Sequence, residues 1–311
     1  MGVRLLLIVN ASASSVTARG QVVIQKALSA DHDVTLAETN RRGHATKLAQ
    51  GAARDGVDVV VVLGGDGTLN EVANGLAGSD TALAPLPGGS TNVFARTIGL
   101  PNDPIEATGV LLDGLAHGRI ERVGLGTANG RYFLFHVGLG LDAAVVHQVE
   151  RRDWLKRYAG HPLFIYGIVT SWFRYYDRRH PRFAIGYPDG STIDSYFAVC
   201  LNTNPYTYLG NRPLDLVPEA TLDRGLAVIA FTQLTLPTLL SAAASSFGIG
   251  RELRRQRHLD VRTDLAALRV IGHGPFPYQV DGDYLGETES LDLTHVPHIL
   301  RLVSPFVGSA G

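Results

Sequence analysis

Cysteine is almost missing from this chain of 311 residues: Cys200 stands alone. A single thiol excludes an internal disulfide and fits a reducing compartment. It lies in the apolar run Phe197-Ala198-Val199-Cys200-Leu201 and reads as a small buried hydrophobe. An excess of either charge is also missing, with 28 Lys and Arg against 29 Asp and Glu, so nothing pulls the whole chain toward nucleic acid. No apolar run is long enough to span a bilayer. Val3-Arg4-Leu5-Leu6-Leu7-Ile8-Val9 is too short for that or for a signal segment, and reads as a first strand. Internal repeats, low-complexity tracts and long linkers are absent too, which excludes solenoids and flexible arrays. What remains is 45% hydrophobic and 18% charged, the composition of a soluble globular enzyme long enough for two domains.

The first ~120 residues alternate between strand-like and helix-like patterns. Strands are expected at 3–9, 33–37, 58–63 and 81–86, and helices near 17–29, 43–55, 68–77 and 104–117. Such alternation argues a parallel sheet covered by helices, whose ligands sit beyond the carboxyl ends of the strands. The loops there are 10–14, 39–44, 64–68 and 87–92, all small, polar or glycine-rich.

One of them reads Leu63-Gly64-Gly65-Asp66-Gly67-Thr68-Leu69-Asn70-Glu71. Glycines let a ligand approach bare backbone. Thr68-Leu69-Asn70-Glu71 fits the capping box of a helix that starts there, and a helix N-terminus favours an anion, most often phosphate. An Asp beside phosphate is repelled unless a divalent cation lies between them, so Asp66 is expected to hold or face Mg2+ on a polyphosphate. The competing reading is a tight strand-to-helix turn in which Asp66 helps the cap. The pattern is neither a Walker loop nor G-x-G-x-x-G. Pro87-Gly88-Gly89-Ser90-Thr91-Asn92 repeats the arrangement after the next strand.

From about residue 121 the texture changes. Asn129-Gly130 sits between two strand-like runs, helical stretches follow at about 142–158 and 162–177, and then come runs rich in Val, Ile, Tyr, Phe and Thr. Turns are marked by Pro188-Asp189-Gly190 and Asp281-Gly282-Asp283; Leu285 excludes a calcium-binding EF-hand at the latter.

The runs VVVVLGGDGTLNEVANGL and APLPGGSTNVFARTIGLP resemble the catalytic domain of the diacylglycerol kinase family, whose soluble bacterial members are related to sphingosine kinases and NAD kinases. VNASAS, ETNRRGHATKLA and PYQVDGDYLGE extend the resemblance over nearly the whole chain. The GGDGT motif is shared with NAD kinases, whereas GGSTNVFAR with an Asp-Gly-acid turn is specific to the lipid branch. The resemblance implies an α/β plus β fold: a three-layer α/β nucleotide domain over 1–122, a β-sandwich-like substrate domain over 123–296, and a return strand over 297–311.

It also implies ATP and Mg2+, with nucleotide contacts at Asn10, Ser12, Thr39, Gly64, Gly65, Asp66, Gly67, Thr68, Asn70 and Thr91. The family's proton acceptor, a Glu, falls on Asp283, a carboxylate one methylene shorter; Asp281 and Asp66 complete the catalytic candidates. By itself, Asp281-Gly282-Asp283 also reads as a plain hairpin turn. The relatives' structural Mg2+ ligand falls on Arg224, so that site is expected to be lost or taken over by Asp223. His295 and His298 read as surface residues.

Residues 151–182 carry eight Arg and Lys against two Asp, a local net of +6, interleaved with Trp154, Tyr158, Trp172 and other aromatics. An amphipathic helical pair on anionic phospholipid is one reading; an ordinary helix with a solvated basic rim is the other. The expectation is an ATP-dependent lipid kinase, cytoplasmic and transiently at the inner face of the membrane, with diacylglycerol as the leading acceptor. A sphingosine-like lipid, a soluble acceptor such as NAD, or nucleotide and membrane binding without turnover stay open, as does a homodimer.

Overall fold

Strands buried on both faces need unbroken apolar sequence, and the first part of the chain supplies it. The computed structural model describes residues 2–140, 143, 180–248 and 252–305. The chain divides into one unit of Met1–Leu125 with Pro297–Gly311 and a second of Gly126–Val296. In the first, β1 (Arg4–Val9), β2 (Asp33–Glu38), β3 (Val59–Gly64) and β4 (Ala82–Pro87) run parallel in the order β2-β1-β3-β4. Every residue of β3 and β4 is buried, whereas the edge strand β2 is half exposed. The last residues of a long strand, Asp283–Val303, extend this sheet: Arg301 and Leu302 pair in parallel with Ala82 and Leu83.

Helices α1 (Ala18–Leu28), α2 (His44–Arg54), α3 (Asp66–Leu76), α4 (Val93–Thr97) and α5 (Pro104–Ala116) connect these strands. Leu5, Leu7, Val9, Val59, Val61 and Leu63 form one core with Ile24 and Leu28 of α1 and Ala107 and Leu111 of α5. The alternate residues, Leu6, Ile8, Val60 and Val62, are buried on the opposite face, where α2 and α3 pack on each other and on the strands. Three layers result. Local chemistry sets the helix starts: Thr17 accepts the Gly20 amide, and Asp103 accepts those of Ile105 and Glu106 ahead of Pro104.

Strand β5 (Ile120–Ala128) leads into the second unit, an antiparallel assembly of β6 (Arg131–Phe133), β7 (His136–Leu139), β8 (Phe183–Gly186), β9 (Thr192–Ser195), β10 (Phe197–Leu201), β11 (Thr207–Leu209), β12 (Arg212–Leu214), β13 (Leu226–Phe231), β14 (Leu259–Leu265), β15 (Ala267–Val280) and β16 (Asp283–Val303). Strand β7 lies between β10 and β15, and β10 continues to β13 and β14. Alternation along β10 and β13 fills two cores. Ala198, Cys200, Val228 and Ala230 point to one; Val199, Leu201, Ala227 and Ile229 point to the other, which α6 (Leu236–Ser246) and the turn at Leu253–Arg255 help close. Burial drives the Cys200 thiol well above its ordinary pKa, so it is inert. At both Asn129-Gly130 and Asp281-Gly282 two consecutive positive φ angles (47° and 84°; 47° and 82°) make the tight hairpin turn that strand twist favours. Among the described residues no helix is long and apolar enough to cross a membrane. The helices expected within 142–177, and the basic and aromatic residues 151–179, lie outside the described residues.

Candidate active site

Parallel strands end together, so the loops that follow β1, β3 and β4 converge on one edge of the sheet. The Gly88 amide donates to the Gly64 carbonyl (2.9 Å), and the Gly88 carbonyl accepts from the Ser15 amide (2.9 Å). The Ser15 hydroxyl donates to the Gly89 carbonyl (3.0 Å). The two glycine loops touch backbone to backbone: a Cβ on Gly88 would lie 2.8 Å from the Gly64 nitrogen, and one on Gly89 2.8 Å from the Gly65 Cα. No larger residue fits at either place. Asn10 joins the first loop to the start of α3, because its amide group donates to Thr68 Oγ1 (2.9 Å) while its Oδ1 accepts from the Ser12 amide (3.1 Å). Thr39 is tied to the end of β1 by its amide, which donates to the Val9 carbonyl (2.9 Å).

The capping box expected at Thr68-Leu69-Asn70-Glu71 does not form. Helix α3 starts two residues earlier, at Asp66, and its N-cap is Gly65, which has no side chain to offer. Thr68 bonds Asn10 instead, and Glu71 reaches across to α2, accepting from the amides of Gly43 (2.8 Å) and Ala45 (3.1 Å). Asp66 does the same for α4: its two oxygens accept from Val93 (3.0 Å) and Phe94 (3.1 Å). A long-range bond to an uncapped helix outcompetes the local box because each α2 and α4 amide would otherwise lack an acceptor. Asp66 therefore clasps the second glycine loop to the first. Burial pushes its carboxyl above the ordinary value, opposed by the Val93 and Phe94 amides and by Arg96. The Gly67 and Thr68 amides lie in the first turn of α3, ahead of any helical carbonyl that could accept them.

Asn92 shapes the same edge. Its φ of 51° is left-handed, its Oδ1 accepts the Gly89 amide (2.7 Å), and its Nδ2 donates to the Gly89 carbonyl (2.9 Å) and to Asn102 (2.8 Å). Sequence reasoning passed over it; an Asn directly before a helix, where left-handed backbone is tolerated, was the available signal. Thr91 neighbours it, and its carbonyl accepts from Arg96 (3.4 Å). Asn70, within α3, is buried and accepts from Asn74 Nδ2 at Oδ1 (3.2 Å).

In the second unit the two acids of the Asp281-Gly282-Asp283 turn differ. Asp281 is 4% exposed, and its carboxylate accepts three successive backbone amides, Leu134 (2.7 Å), Phe135 (3.0 Å) and His136 (3.1 Å). Its own amide donates to the His136 carbonyl (2.9 Å). Asp281 is thus a structural clamp. Asp283 opens β16 with its side chain 28% exposed, 3.6 Å from Arg131. His136 is 5% exposed, packs its ring on Tyr206 (4.4 Å) and Phe135 (5.0 Å), has no partner at Nδ1 among the described residues, and is pulled down to about 3 by burial. It is a neutral imidazole at pH 7.

The loop at Asp223-Arg224-Gly225 carries one carboxylate. The Thr221 hydroxyl holds the Asp223 carboxyl below its ordinary value, and the Gly225 amide is bound by Asp264 (2.9 Å). Among the described residues no three His, Cys, Asp or Glu side chains converge. The first-unit edge suits Mg2+ carried on a nucleotide, since it presents the Asp66 carboxylate and Mg2+ needs only one or two protein carboxylates beside phosphate.

Residues 4–128, which contain both glycine loops, match the diacylglycerol kinase catalytic domain. A diacylglycerol kinase of Bacillus subtilis (strain 168) is 38% identical over 42% of this chain, a stretch that spans 43% of that relative's length. A diacylglycerol kinase of Staphylococcus carnosus (strain TM300) is 26% identical over 89% of this chain and 87% of its own. The fold is shared with a crystal structure of a diacylglycerol kinase from Bacillus anthracis str. Sterne, with a TM-score of 0.71 at 22% identity over 97% of this chain and 96% of the other. The domain match thus covers the glycine edge, and the fold is shared over nearly the full length.

Proposed function

We infer that the protein transfers the γ-phosphoryl group of ATP to a lipid hydroxyl, with diacylglycerol as the leading acceptor. The observation that carries this reading is the bare N-terminus of α3 set against two stacked glycine loops, within the part of the chain that matches the catalytic domain. Backbone amides there orient the phosphates without side-chain charge of their own. Asn10, Ser12, Thr39 and Thr91 line the same strand ends and position the nucleotide. Asp66 would hold Mg2+, which offsets phosphate charge, while it keeps α4 in place. Asp283 takes the proton from the attacking hydroxyl, and Asp281 holds the turn that presents it. The acceptor is drawn from a membrane surface that carries anionic phospholipid.

Transfer of label from γ-labelled ATP to a panel of diacylglycerol, a sphingosine-like lipid and NAD tests the reading. Labelled phosphatidic acid is expected. Label on NAD alone, or ATP bound with no transfer to any member, would refute it.

A further inference from the structure

We propose that Arg131 is a positioning residue that acts through Asp283; this rests on Asp283 being the proton acceptor. Arg131 is the first residue of β6, directly after the Asn129-Gly130 turn, and its Nη2 lies 3.6 Å from an Asp283 oxygen. The segment that carries it is fixed to the β15–β16 hairpin at both ends. Before it, the Asn129 amide donates to the Asp292 carbonyl (2.9 Å) and Asn129 Oδ1 accepts the Asp292 amide (2.9 Å). After it, the amides of Leu134, Phe135 and His136 hold the Asp281 carboxylate. These anchors fix the backbone that carries Arg131 beside the start of β16.

The separation matters. A charge-assisted hydrogen bond between guanidinium and carboxylate closes to about 2.7–2.9 Å and consumes oxygen lone pairs. At 3.6 Å the pair is an ion contact that biases the Asp283 rotamer without spending a lone pair on this guanidinium. Asp283 is also one methylene shorter than the Glu expected there, so it has less reach with which to correct a poor aim. Both side chains are partly exposed, 35% and 28%, so water screens the attraction and little fold stability depends on it. The contribution of Arg131 is therefore direction.

The test compares Arg131→Met and Arg131→Lys in the full-length protein, with vesicles of diacylglycerol and phosphatidylglycerol. A water-screened ion contact biases a rotamer only weakly, so Arg131→Met should lower kcat by about 3- to 5-fold with the KM for ATP within about twofold. Arg131→Lys should recover part of the loss, and thermal melting should be nearly unchanged in both. In an Asp283→Asn background, Arg131→Met should add nothing, read as slow label transfer over long incubation; if that background is silent, the Lys rescue decides. Unchanged kcat in Arg131→Met, failure of Lys to rescue, or an undiminished loss in the Asp283→Asn background would overturn the proposal. Full activity of Asp283→Asn alone would instead overturn the assignment of the proton acceptor.

Discussion

Acid should weaken this fold at a named ring. His136 is pulled from 6.5 down to about 3 by burial, so the folded state takes up its proton far less readily than the unfolded chain. A depressed folded value means the stability is present above pH 6.5 and is lost as pH falls toward 3. Every tenfold difference in proton affinity between the two states is worth about 1.4 kcal/mol, so the full loss is on the order of 5 kcal/mol, and roughly half of it has occurred by pH 4.5. That is large against a typical folding stability of about 5–15 kcal/mol. Urea unfolding followed by circular dichroism, at pH 7.5 and 4.5, measures it in wild type and in His136→Asn. The substitution forfeits ring contacts with Phe135 and Tyr206 at both pH values, but the acid-dependent part should shrink by about 2–3 kcal/mol. Other carboxylates titrate equally in both proteins and cancel. If wild type and variant lose the same stability between the two pH values, to within about 0.5 kcal/mol, His136 is not the buried neutral group that this structure describes.

Asp66→Asn places an amide donor against either the Val93 or the Phe94 N–H, so the clasp between the glycine loops should lose about 1.5–3 kcal/mol, visible as a lower Tm together with weakened ATP binding by calorimetry. A normal Tm with abolished turnover would limit Asp66 to metal contact. Gly88→Ala should abolish ATP binding in the folded protein, because its Cβ would meet the Gly64 backbone at 2.8 Å; unchanged binding would mean that the loops do not stack in solution. Asp281→Ala leaves three buried amides without an acceptor and should destabilise the protein by several kcal/mol, about 3 or more, in urea titration. Asp283→Asn should instead keep its stability and lose about 100-fold or more in kcat, with Asp283→Glu active; the reverse pattern for the two acids would exchange their roles.

The framework of the first unit was legible because its signals are local. Strands β1, β3 and β4 announce themselves by unbroken Val, Leu and Ala, and the turns after them by glycine pairs. The Asn129-Gly130 and Asp281-Gly282 hairpins were readable for the same reason. What could not be read was which group each acid would serve. Asp66 caps a helix starting 27 residues on, and Asp281 captures an amide 147 residues before it. Pairings at that range leave no periodic trace, so Thr68-Leu69-Asn70-Glu71 looked like a complete box although its two ends are used by Asn10 and by α2. Asp281 and Asp283 looked interchangeable in the sequence; burial alone separates clamp from exposed carboxylate.

Backbone stacked on backbone makes the glycine edge sensitive to length more than to chemistry. Gly88 and Gly89 meet Gly64 and Gly65 in a fixed pairing with no side chain to absorb a slip. Many surface replacements around this edge leave its amides where they are, whereas one residue inserted or deleted between β4 and α4 offsets every amide that follows. Tolerance here is thus a matter of counting: homologous loops can be exchanged into this chain when their number of residues matches and they keep the glycines and Asn92.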